Sequence, residues 1–116
     1  MGFGGMGGGN LQKMLMKQME EMQRKMERIQ AELAEERIEA SAGGNMVTAV
    51  ASGMGDLIDL RIKPEVVDPD DVEMLQDLIL AAVTEALGRA QSRKEERMGE
   101  VTGGLNVPGL GKLPGF

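Results

Sequence analysis

The chain predicts an α+β fold, a single α-β-β-β-α unit in which two long helices flank a three-stranded antiparallel sheet, and three observations carry that prediction. Apolar residues between Asn10 and Leu33 keep a two-turn helical repeat. From Arg37 the repeat changes to two and is broken by glycines. From Asp68 a strong helix start leads into a second long apolar stripe. With 116 residues the chain has material for about one domain and its core.

In the first segment Leu15, Met19, Met22, Met26, Ile29 and Leu33 are spaced four, three, four, three and four apart, which places them in one stripe along a helix. Lys13, Lys17, Arg24 and Arg28 point elsewhere, so one face asks for a partner and another offers positive charge. Asn10 is the expected N-cap, and a helix to Leu33 spans about 36 Å. Five of the eleven methionines fall between Met14 and Met26. A thioether is flexible and fills irregular gaps, so this face suits a helix pair or a dimer.

Residues 37–42 (RIEASA), 46–52 (MVTAVAS) and 57–63 (LIDLRIK) are short, alternating and separated by Gly43-Gly44-Asn45 and by Gly53-Met54-Gly55-Asp56, which reads as an antiparallel meander. In the third strand Ile58, Leu60 and Ile62 alternate with Asp59, Arg61 and Lys63, giving one buried and one wet face. Both faces of the middle strand are apolar or small, which predicts cover on its second face as well, by a second subunit. Pro64 ends the third strand. Asp68 is the expected cap of the last helix and Pro69 its first residue, with Asp70, Asp71 and Glu73 at the positive end of the dipole. Those acids lack the spacing and the glycine of a calcium-binding loop. The apolar stripe of this helix runs from Val72 to Ala90; from Gln91 to about Met98 the residues are nearly all polar and are expected to project from the body.

Residues 1–9 and 99–116 are glycine-rich and are expected as a flexible arm and a flexible tail around a domain of residues 10–98. Gly2, Gly4 and Gly7 match a dinucleotide-binding fingerprint, but no strand precedes them, so the match is chance. No apolar run approaches the roughly 20 residues of a membrane span and no secretory leader is visible, so a cytoplasmic protein without a membrane partner is expected.

The chain has no cysteine and no histidine, which removes thiolate metal sites, the commonest metal ligand and the commonest general base. Ser41, Thr48 and Ser52 belong to no recognisable catalytic constellation, so neither an enzyme, a cofactor, a metal nor a small-molecule substrate is expected. Two phenylalanines and no tyrosine or tryptophan argue against single-stranded nucleic acid held by base stacking. The net charge is −6, yet the acidity is local. Residues 53–87 carry two basic and nine acidic groups, whereas 10–34 carry five basic against four acidic and 88–98 four basic against two acidic. A local patch, rather than net charge, sets association with phosphate. Antiparallel packing of helices longer than the sheet would bring Lys13 and Lys17 beside Arg89, Arg93, Lys94 and Arg97 as one protruding basic arm. The plain alternative is a solvated face, with these cations paired to Glu20, Glu21, Glu27, Glu95 and Glu96.

The segments LQKMLMKQMEEMQRKMERIQAEL, GGNMVTAVASG and IKPEVVDPDDVEMLQDLILAAVTEALGRAQ, with a Gly/Pro tail ending in LPGF, resemble in order the YbaB/EbfC family of bacterial nucleoid-associated proteins. The resemblance implies a tweezer-shaped homodimer in the nucleoid that binds double-stranded DNA and influences nucleoid organisation and gene expression. It sets recombination and replication proteins among the candidate partners. Carried over to this chain, the DNA contacts fall on Lys13, Lys17, Arg24, Lys25, Arg28, Arg89, Arg93, Lys94 and Arg97. Asp56 and Asp59 stand where some relatives have basic side chains, which argues against DNA on the sheet. The competing function is an adaptor or chaperone-like clamp that grips another protein with its helical arms and binds no DNA.

Overall fold

The computed structural model describes residues 2–102, and it builds the α-β-β-β-α order: α1 (Gly2–Glu35), β1 (Arg37–Ala42), β2 (Val47–Ser52), β3 (Leu57–Ile62) and α2 (Val72–Thr102), with a single 3-10 turn at Pro64–Val66 before α2. The sheet is an antiparallel meander in the order β1-β2-β3. The β1–β2 turn needs three consecutive left-handed residues, Gly43 (φ 62°), Gly44 (67°) and Asn45 (71°), which the Gly-Gly-Asn sequence supplies at low steric cost.

One face of the sheet carries the core. Ala40, Val47, Ala49 and Ala51 pack against Ala82, Ala86 and Ala90 of α2, with Val66 closing one end. Small residues at four-residue intervals let the helix approach the strands closely, and Leu75, Leu78, Ile79, Val83 and Leu87 pack around them. In β3 the alternation differs from expectation. The register shifts between Val50 and Ala51, so Ala51 is opposite Leu57, Ala49 opposite Leu60 and Val47 opposite Ile62. Ile58 is the extra residue of a bulge and stays 48% exposed, because a bulge leaves one residue without a cross-strand partner.

On the second face of β2, cover for Val50 comes from within the chain. Arg61, opposite Thr48, reaches back to Glu39 at 3.0 Å and to Asp59 at 3.2 Å, and both of those carboxylates flank Val50. This bridge lies over Val50, which is 3% exposed. The guanidinium pKa of Arg61 is raised, first by the Asp59 hydrogen bond and then by Glu39.

The helix boundaries also move. α1 begins at Gly2, so it runs through the stretch expected as an arm, and Asn10 lies inside the helix rather than at its cap. Each residue added to an existing helix gains a hydrogen bond, which opposes the entropic cost of glycine, so a good capping residue does not by itself fix the end. At α2 the cap is Asp71, whose Oδ1 accepts from the Met74 N–H at 3.2 Å. Asp68 instead closes a turn, accepting from the Asp70 N–H on its side chain and from the Asp71 N–H on its carbonyl. At the other end α2 continues past Met98 to Thr102 because Val101 has something to bury against: it is 6% exposed in a second small core with Ile29 and Leu33, flanked by Met22, Met54 and Met98. The remainder of the expected tail, 103–116, lies outside the described residues. Among the described residues no helix is long and apolar enough to cross a membrane.

Candidate nucleic-acid interface

The junction of α1 with the sheet sets the direction of everything that projects. The Leu33 carbonyl accepts from the Gly53 N–H at 2.8 Å, the Glu32 carbonyl from the Glu36 N–H, and the Ala34 carbonyl from Arg37 Nη1, so three carbonyls of the last turn of α1 have partners. Gly53 is required by proximity: a Cβ there would lie 2.8 Å from the Leu33 carbonyl oxygen and 3.1 Å from its Cα. From this anchor α1 runs back along α2 in antiparallel fashion, with Glu36 against Arg93, Glu32 against Arg97 and Lys25 against the Glu100 carbonyl.

That register divides the nine cations. Arg93 binds Glu36 at 2.9 Å and Glu96 at 3.1 Å, and Arg97 binds Glu32 at 2.7 Å with Glu100 at 3.0 Å. The Arg97 side chain is only 16% exposed. Both guanidinium pKa values are raised, for Arg93 chiefly by its hydrogen bond to Glu36 and for Arg97 chiefly by that to Glu32. Arg89 is held by Glu85 at 3.1 Å and donates to the Glu39 carbonyl at 2.8 Å, tying α2 to β1. A groove of about 560 Å³ beside Arg89 and Arg93 is lined equally by Glu85 and Glu96, so its charge is balanced. The arginines of α2 therefore hold the fold together. Their partners Glu32 and Glu36, which sequence reasoning passed over, carried a readable signal: two acids four apart on one helix, and two arginines four apart on the other.

The cations of α1 stand differently. Lys25 lies level with Glu100, and Lys13 is twelve residues nearer the tip, about 18 Å beyond it along the axis. Lys13 and Lys17 are thus not beside the basic end of α2, and the single two-helix basic patch expected from the sequence does not form. The two segments overlap only near the base because α2 spends its first five turns crossing the sheet. At about 100° per residue, Lys13, Lys17, Arg24 and Arg28 fall within an arc of about 60°, nearly opposite the apolar stripe of the same helix. All four are exposed. Arg24 touches Glu20 at 3.7 Å, a solvent-exposed pair of little strength. Lys13, Lys17 and Arg28 of this row, and half-buried Lys94 of α2, make no ion pair or side-chain hydrogen bond among the described residues. The row extends over about 22 Å, some six base-pair steps at about 3.4 Å.

The apolar stripe is also divided. Ile29 and Leu33 are buried and Met22 is half-buried, but Leu15 is 51% and Met19 69% exposed, with Leu11, Met14 and Met16 beside them. Cover is fullest at Ile29 and Leu33, where α2 runs alongside, and Met26 is already 39% exposed. Among the described residues no group of three or more carboxylates could hold a metal ion.

A family model described as the YbaB/EbfC DNA-binding family matches residues 6–105. A nucleoid-associated protein of Alkaliphilus metalliredigens is 55% identical over 109 residues, 94% of this chain and 96% of the relative, and one of Acetivibrio thermocellus is 58% identical over 110 residues with the same coverage. The crystal structure of an uncharacterized protein from Helicobacter pylori superimposes with a TM-score of 0.58 over 67% of this chain and 90% of that one, at 19% identity, which is a likeness of fold.

Proposed function

The chain belongs to the YbaB/EbfC DNA-binding family, and from that premise we propose that it is a nucleoid-associated protein that binds duplex DNA as a homodimer, chiefly by phosphate contacts, and so affects nucleoid organisation and gene expression. The observation that carries this reading is the row Lys13, Lys17, Arg24 and Arg28, exposed on the free face of α1 with hardly a carboxylate partner. Free ammonium and guanidinium groups can displace counterions from a phosphate backbone, while the scarcity of aromatics, two phenylalanines without tyrosine or tryptophan, and of side chains suited to base edges leaves little sequence readout. Lys25 of α1 and Lys94 of α2 are proposed as further contacts. Arg93 and Arg97 support the row by fixing α1 on α2, and Arg89 by tying α2 to β1; all three contribute less charge, because their carboxylate partners neutralise them.

A homodimer is supported by the apolar surface left around α2. Its apolar arc is wider than the sheet it packs on: Leu80 is 67% exposed, and Val72 and Met74 at its start, with Val67, Leu57 and Ile58, stay open in one chain. Two subunits joined there would present two α1 arms.

A shift assay on random and AT-rich duplexes, from low to physiological salt, with particle mass measured in parallel, tests the proposal. The expected result is a dimer mass and an affinity that falls steeply with salt on both duplexes. Absence of binding, or binding without a salt slope, contradicts it and leaves the protein-gripping clamp.

A further inference from the structure

The uncovered half of the α1 apolar stripe is a direct continuation of the α1–α2 interface, and α2, antiparallel to α1, ends at Thr102 pointing toward the α1 tip. Val101 packs on Ile29 and Leu33, with Met22 at the edge of the same cluster. Toward the tip, Leu11, Leu15, Met16 and Met19 are each more than half exposed. No charged side chain interrupts this strip, since the basic row lies on the opposite side of the helix. The residues that follow Thr102 read GGLNVPGLG and carry no charge before Lys112, with Leu105, Val107 and Leu110 spaced along them.

We propose that residues 103–111 of the same chain lie along the exposed apolar stripe of α1, with Leu105, Val107 and Leu110 covering Met19, Leu15 and Leu11 in that order. Length permits it. From the level of Lys25 to Leu11 is about 21 Å along the helix axis, and the eight residues from Thr102 to Leu110 reach about 26 Å when extended. Gly103 and Gly104 allow the change from helix to extended chain, and Pro108 suits an extended segment without a helix donor to satisfy. A segment of the same chain has an advantage over any separate occupant, because its tether holds it at high effective concentration. The docked segment shields the apolar side of the arm and leaves Lys13, Lys17, Arg24 and Arg28 open on the other.

The absence of native cysteine makes the test direct in the full-length protein. Two double variants, Leu15→Cys with Val107→Cys and Lys17→Cys with Val107→Cys, are oxidised mildly and followed by thiol titration and non-reducing gels, with helicity checked by circular dichroism. The first pair is expected to close within one chain at least about tenfold faster than the second, because docking raises its effective concentration on the apolar side. Equal rates for the two pairs, or cross-links that join two chains in place of closing one, overturn the proposal. As a second readout, truncation after Thr102 is expected to raise the fluorescence of an apolar dye several-fold, and Leu15→Gln with Met19→Gln to abolish the rise. No rise on truncation also overturns it.

Discussion

The two ends of the α1 arm each combine charged with apolar residues and use them in opposite ways. At the base, Glu32 and Glu36 meet Arg97 and Arg93 within 2.7–2.9 Å, and Leu33 is fully buried under Val101 and Gly53. At the tip, Lys13 and Lys17 have no partner among the described residues, and Leu15 and Met19 are more than half exposed. Part of the difference is local, since no acid precedes Glu20 and no base follows Arg28 in α1. The rest comes from where α2 ends. A second helix alongside turns charges into ion pairs and apolar residues into core, and beyond its end the same residue types become a surface. Charge in a helix is therefore informative about binding only after the neighbouring helix has been placed.

Substitutions in the two regions should separate accordingly. Leu33→Ala at the base should cost about 2–5 kcal/mol in denaturant unfolding, the range for truncating a buried leucine that cannot be replaced by collapse; a loss below 1 kcal/mol, about a fifth of that range, would mean the base is not a core at all. Gly53→Ala should cost about 1–3 kcal/mol, since the added methyl meets the Leu33 backbone rather than a side chain that can swing away. A smaller loss of about 1 kcal/mol is expected for Asp71→Ala, which removes the α2 cap, with Asp68→Ala costing less. The reverse order would restore Asp68 as the cap. Lys13→Ala and Lys17→Ala at the tip should change stability by less than about 0.5 kcal/mol, as for exposed positions without partners. A larger loss would show that these lysines are engaged after all.

Much of the architecture was legible because it depends on periodicity. The change from a helical repeat to alternation at Arg37, the Gly-Gly-Asn turn and the apolar run from Val72 to Ala90 each reflect one element burying one face. What was not legible depends on contacts between distant segments. The bulge at Ile58 is a matter of register against β2, which alternation within β3 cannot reveal. Asp68 and Asp71 are chemically equal capping residues, and only the path of the preceding turn decides between them. The polar run from Gln91 looked free to project because its partners, Glu36 and Glu32, are 57 and 65 residues away from Arg93 and Arg97. The candidate interface was legible in the same uneven way: the row on α1 follows from helical spacing alone, whereas the binding of Arg93 and Arg97 to carboxylates required the antiparallel register.

The central claim is that the cations on the free face of α1, and not the arginines of α2, meet the phosphates. Duplex affinity measured against salt for two variants tests it most directly: Lys13→Gln, Lys17→Gln, Arg24→Gln and Arg28→Gln combined, and Arg93→Gln with Arg97→Gln. The first should keep dimer mass and helicity while the slope of log affinity against log salt falls by about 3–4 per arm engaged. The second should lower thermal stability and, at temperatures where it remains folded, leave that slope nearly unchanged. A slope kept by the first variant and lost by the folded second would contradict the account.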